Sequence, residues 1–262
     1  MFIHFSGKFL GWHRYYTWAY EQALRTECGY TGTQPYWDWA QTAVTGLENS
    51  PLFDGSATSL SGNGAYIPGN ELGNISIPTA PGSDLPPVYL PTARGVSVNL
   101  GPVLLPLPNG TVVSTGSGFA PNPRCLKRDL TSSINRAFAN ASSIATTILS
   151  NPTIASFQTA LQGVPGSGNI GVHGGGHYAL GGDPGRDFYV SPGDPAFYAH
   201  HAMIDRVWWI WQNVHSEIAF GVEGIAGTNT FLNVPPSENT TLETPLDLGW
   251  AWDGVLHVWW VV

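Results

Sequence analysis

Asp194-Pro-Ala-Phe197-Tyr-Ala-His200-His201-Ala-Met-Ile-Asp205-Arg206-Val-Trp208-Trp-Ile-Trp211-Gln-Asn-Val214-His215 is the stretch that decides the fold. Pro195–His215 reads as the strongest helix in the chain, because Phe197, Ile204, Trp208, Trp211 and Val214 fall on one apolar stripe at helical spacing. Consecutive helical residues point about 100° apart, so only one of His200 and His201 can face a given centre. Phe197, His201 and Asp205 form an i, i+4, i+8 row that sets an aromatic floor and a carboxylate beside His201. A carboxylate next to an imidazole is a common support for a metal ligand. His201 is therefore the expected ligand, and His200 a supporting histidine that points elsewhere.

Upstream of that helix, His173 and His177 flank Gly174, Gly175 and Gly176. At i, i+4 on a helix two imidazoles share a face and can share a metal. Each glycine costs a helix interior about 1 kcal/mol against alanine. A helix kept from such material is expected to need the space, leaving room over the metal for a flat ligand. Nearer the amino end, His4 and His13 are nine residues apart, which puts them on opposite faces of one continuous helix. His4 must therefore precede the helix, through an approach that Gly7 permits, with His13 in its first turns. Imidazoles without thiolates suit zinc, copper, iron or nickel.

The rest of the 262-residue chain frames these histidines. Its length fits one domain over 1–262, with no repeat or linker to divide it. Charged residues make up 11%, against about 25% in an ordinary soluble domain. The net charge is −8 with no run of Lys or Arg, which argues against nucleic acid or an anionic membrane as partner. No apolar run approaches the roughly 18 residues that would span a bilayer. Helical period covers Gly7–Glu27, Asp129–Leu149 and the segment from Asn151-Pro152 to Gly163, while 46–124 is a Pro/Gly-rich excursion expected to hold a hairpin. The segment after Trp250 receives no assignment. Cys28 and Cys125 lack metal or redox spacing and are expected to form one disulfide. With the low charge and the sequons at Asn74, Asn109, Asn140 and Asn239, they point to a secreted glycoprotein, although no signal peptide is visible.

His4-Phe-Ser-Gly-Lys-Phe-Leu-Gly-Trp-His13-Arg-Tyr-Tyr resembles the first copper motif of the tyrosinase and catechol oxidase (polyphenol oxidase) family. Pro35-Tyr-Trp-Asp-Trp39 is similar to the block that follows it there. His173-Gly-Gly-Gly-His177, with the stretch quoted first, resembles the second copper motif, and order and spacing agree over about residues 1–215. The excursion resembles that of the short secreted fungal polyphenol oxidases. This resemblance implies a mainly α fold whose central four-helix bundle houses a type 3 dicopper centre, with long irregular loops and minor β. It implies two copper ions, the first held by His4 and His13 and the second by His173, His177 and His201. The family's remaining ligand of the first copper precedes the position of His4, so the chain is expected to be a piece of a longer protein with that histidine and a signal peptide upstream. The implied reaction is oxidation of o-diphenols to o-quinones by O2, with small phenols as partners. Monophenol hydroxylation is expected to be weak, since Gly174 stands where efficient hydroxylating relatives carry an amide and Phe157–Val172 holds no carboxylate. The alternatives are a metal-deficient, inactive piece of such a domain and an O2 carrier like the hemocyanins.

Overall fold

The computed structural model describes residues 3–63, 97–100, 103–106, 112–115, 121–182, 184–187, 189–249 and 254–258. The fold is mainly helical. Contacts divide the chain into two compact units, one made of Met1–Tyr36, Ser142–Gly163 and His201–Val262, the other of Trp37–Ala141 and Val164–His200.

In the first unit, helix α1 (Phe9–Cys28) ends where Gly29 adopts φ 66° and returns its N–H to Leu24 O, a left-handed stop that a residue without Cβ takes at little cost. Gly7 stays outside the helix: its N–H donates to Thr228 O at 2.9 Å, and a Cβ there would overlap the Thr240 side chain. Tyr15 and Ala19 on α1 pack with Leu246, Leu248 and Val258, and Trp12, Tyr16, Ile225 and Leu256 close around them. Leu246 and Leu256 oppose each other in the antiparallel pair β5 (Pro245–Asp247) and β6 (Val255–His257). The segment that received no assignment thus begins beyond 253 as a strand of the α1 core; 250–253 and 259–262 lie outside the described residues.

Helix α4 (Ala141–Leu149) precedes α5 (Ile154–Gln162). Asn151-Pro152 does not start α5; Thr153 does, accepting from Ser156 N while Ser156 Oγ accepts from Thr153 N. On α7 (Ala196–Val214), Trp208 and Trp211 are buried in this unit, Trp211 stacking on Phe157 and donating to Asn151 O at 2.7 Å. Val214, expected on the same stripe, is exposed instead.

In the second unit, Asp38 caps α2 (Trp39–Thr45) by accepting from Gln41 N. The helix expected over Asp129–Leu149 is two helices. α3 (Ser132–Phe138) stops at Ala139, where Asn135 Nδ2 donates to Ala139 O and Asn140 Nδ2 donates to Arg136 O, side-chain bonds that compete with the helical ladder. Within the excursion β1 (Ser97–Leu100) pairs with β4 (Pro121–Cys125) and β2 (Val103–Pro106) with β3 (Val112–Thr115), both antiparallel, while its described start at 46–63 holds only a short 3-10 helix, turns and bends. α6 (Gly171–Leu180) completes the unit with the first turns of α7.

Cys28, the last residue of α1, is an exposed free thiol, so the bridge to Cys125 expected from sequence is not formed. Among the sequons, Asn239 is exposed, Asn140 spends its amide on Arg136 O, and Asn74 and Asn109 lie outside the described residues. No described helix is long and apolar enough to cross a membrane.

Candidate metal centre

His173 and His177 stand one turn apart on α6, their rings 4.7 Å apart and nearly perpendicular. His200 on α7 joins them, its ring 4.6 Å from His177 and 5.8 Å from His173. Each of the three offers a nitrogen, and these nitrogens lie within 4.8 Å of one another. The expectation that His200 points elsewhere is corrected by this geometry. A helical row fixes where Cβ points, and a long planar ring still reaches sideways from it. Phe197, one turn before His201 on α7, lies 6.1 Å from the His177 ring.

The three glycines explain why the rings can gather. A Cβ on Gly176 would overlap Cε1 and Nδ1 of His200. One on Gly175 would come within 2.8 Å of Phe138 Cβ on α3, and one on Gly174 within 2.8 Å of Ile170 Cβ. The space left by these glycines is filled by protein, which corrects the reading that it lies open for a flat ligand. Close approach of neighbouring elements is what the poor helix material secures.

A carbonyl can only accept, so the 2.9 Å contact from His177 Nδ1 to Gly185 O puts the proton on Nδ1 and the lone pair on Nε2. Burial pushes the His177 imidazole down to about 4, against a smaller opposing effect of the Gly185 carbonyl, so the ring is neutral at pH 7. In the copper-free protein the unfolded ring takes its proton near 6.5 and the folded ring only near 4. The corresponding stability is complete above pH 6.5 and is lost as pH falls from there towards 4. Urea unfolding across that window should show this slope, and His177→Gln should flatten it; equal slopes would remove the assignment.

In the first unit, His13 Nδ1 contacts Phe9 O at 2.8 Å, which again leaves Nε2 with the lone pair. The His4 ring lies 5.5 Å from that of His13, and His201 stacks on His13 at 4.2 Å with 14° between planes. Phe5, at φ 50°, turns the chain between His4 and the helix, held by its N–H to Gln162 Oε1 at 2.8 Å and by edge contact with Phe231. This is the looped approach that the nine-residue spacing demands. Asp205 takes a different partner from the one expected: its Oδ1 accepts from Arg14 Nε at 2.5 Å. A guanidinium one helix away outcompetes an imidazole on the same helix because it is a permanent charge with a matching fork.

All these donors are imidazole nitrogens, a set that fits copper as well as zinc. The common central domain of tyrosinase matches residues 1–214. The chain belongs to the tyrosinase family. It is 37% identical to tyrosinase P of Aspergillus terreus over 256 residues, covering 94% of this chain and 69% of that protein. An N-acetyl-6-hydroxytryptophan oxidase of Emericella nidulans is 36% identical, with 95% and 71% covered. A solved polyphenol oxidase variant from Thermothelomyces thermophila superposes with a TM-score of 0.81 at 37% identity, over 99% of this chain and 70% of that one. Membership makes this tyrosinase-family chain an oxidoreductase and selects copper from the metals that imidazoles admit.

Sequence reasoning passed over Arg128, whose guanidinium is fully buried against Asp194 at the start of α7. A lone arginine in a stretch of uneven period carries no signal; only its burial reveals it.

Proposed function

We propose that the protein oxidises o-diphenols to o-quinones with O2, using two copper ions. The observation that supports this reading is the pair of imidazoles one turn apart on α6, His173 buried and His177 neutral at pH 7, in a tyrosinase-family chain. His173, His177 and His201 would hold one copper, and His4 and His13 would contribute to holding the other. Copper there would supply electron exchange between the diol and O2. The protein's own part is orientation. Phe9 O and Gly185 O fix the tautomers of His13 and His177 so that each presents Nε2. His200, set against Gly176, spaces α6 from the aromatic residues behind it.

Diphenols are favoured over monophenols because a phenol with a pKa near 10 is almost wholly protonated at pH 7 and needs a base beside the metal. Gly174, next to His173, provides no amide to orient a water for that purpose. Gly174→Asn is expected to raise the monophenol rate relative to the diphenol rate. Because its Cβ meets Ile170 Cβ at 2.8 Å, the gain should be larger in Ile170→Gly/Gly174→Asn, which removes that atom. Steady-state rates of the copper-reconstituted protein on a catechol and a matched monophenol test the whole proposal. Absence of catechol-dependent O2 uptake in copper-loaded protein overturns the oxidase reading, and lag-free hydroxylation at a comparable rate overturns the preference.

A further inference from the structure

In the first unit a cavity of about 420 Å³ opens beside α1 and α7, lined by Trp18, Tyr36 and Trp209 and by no histidine. These aromatic side chains are 43%, 44% and 58% exposed. Single exposed aromatics need no explanation, but three around one concavity of ligand size mark recognition. Trp18 is braced from behind by the buried Tyr15, their rings 5.9 Å apart, so its indole is presented as a fixed platform.

The polar lining narrows the ligand. Two cations, Arg14 and Arg206, and two anions, Glu21 and Asp205, balance to zero. Both carboxylates already have guanidinium partners, Asp205 with Arg14 at 2.5 Å and Glu21 with Arg25 at 2.6 Å. Arg14 is held further by Gln212 at 3.0 Å and by the face of Trp208 at 3.8 Å, and Arg206 lies over Tyr36 at 5.0 Å. A charged ligand would have to break the pairs of Arg14, Asp205 and Glu21 or draw Arg206 off the Tyr36 face. A neutral ligand loses nothing to them and gains a wall of positioned donors and acceptors.

We propose that this cavity is a subsite for a neutral carbohydrate chain of pyranose units. Pyranose rings carry apolar C–H faces that lie on indole and phenol planes, and rims of hydroxyls that both donate and accept. Glu21, Gln34, Asp205 and Arg206 answer those hydroxyls. A small phenol has too few hydroxyls to use them, although it would share the aromatic platform. This inference is independent of the oxidase reading, since it involves none of the histidines.

Calorimetric titration of the copper-loaded protein with cellohexaose, without phenol, tests it. Saturable binding is expected, weakened about tenfold by Trp209→Ala or Tyr36→Ala, the scale of one lost aromatic partner. It should be unchanged in Val214→Ala, an exposed position on the same helix that does not line the cavity. Affinity should also be insensitive to added salt, as a neutral ligand requires. No saturable heat, equal binding by both cavity variants, or a steep salt dependence overturns the proposal. Circular dichroism of each variant separates loss of the subsite from loss of the fold.

Discussion

Replacing Gly176 with Ala is expected to strip most of the copper held through α6. The new Cβ would overlap the His200 ring, and that ring has nowhere to retreat. His200 is 1% exposed, with the fully buried Trp39 and Trp37 rings 5.2 and 6.0 Å away. Overpacking of this kind costs about 1–3 kcal/mol, relieved by displacement of α6 with His173 and His177 on it. Disturbing the support of ligating imidazoles typically lowers metal affinity by about 10–100-fold, and copper retained after dialysis should fall on that scale. The double variant Gly176→Ala/His200→Ala opens the space again. Recovery of copper there would assign His200 the role of spacer, with His201 the ligand. Continued loss would make His200 a ligand itself. Wild-type copper content in Gly176→Ala would show that α6 gives way without cost.

What could be read from sequence, and what could not, divides by range. The histidines of α6, the end of α1 within a residue of Glu27 and most of the α7 stripe depend on spacing within one helix, and the structure matches them. The looped placement of His4 before His13 also followed from spacing alone. The purpose of the glycines did not, because a missing Cβ has meaning only once the neighbour that fills the gap is known. For Gly176 that neighbour lies 24 residues along the chain at His200. Asp205 was misassigned for the same reason: its row on α7 was correct, but Arg14, remote in sequence, holds the carboxylate. The break at Ala139 was invisible to periodicity, since Asn135 and Asn140 redirect their amides to backbone carbonyls without altering the apolar pattern.

Arg128→Met should be the most destabilising single change in the second unit, by about 3–5 kcal/mol, because it abandons a buried carboxylate. Arg128 and Asp194 are both fully buried and meet through two contacts, Nε to Oδ2 at 2.8 Å and Nη2 to Oδ1 at 2.6 Å. Nη1 also donates to the carbonyls of Leu60 and Ser61, tying the start of the excursion to the same guanidinium. Asp194 in turn accepts from Ala196 N at 2.9 Å, so the pair sets where α7 begins and hence where His200 stands. For a chain of this size the loss corresponds to a fall in Tm of roughly 10 °C. Its origin can be separated by a double-mutant cycle with Asp194→Asn, which removes the charge and keeps a cap acceptor. If the cost is the stranded carboxylate, the double variant is more stable than Arg128→Met alone, and the two changes are strongly non-additive. Additive losses would instead place the cost in the Leu60 and Ser61 carbonyls left without their donor. Copper retention separates the outcomes further: the charge explanation restores α7 and its histidines in the double variant, whereas the carbonyl explanation does not.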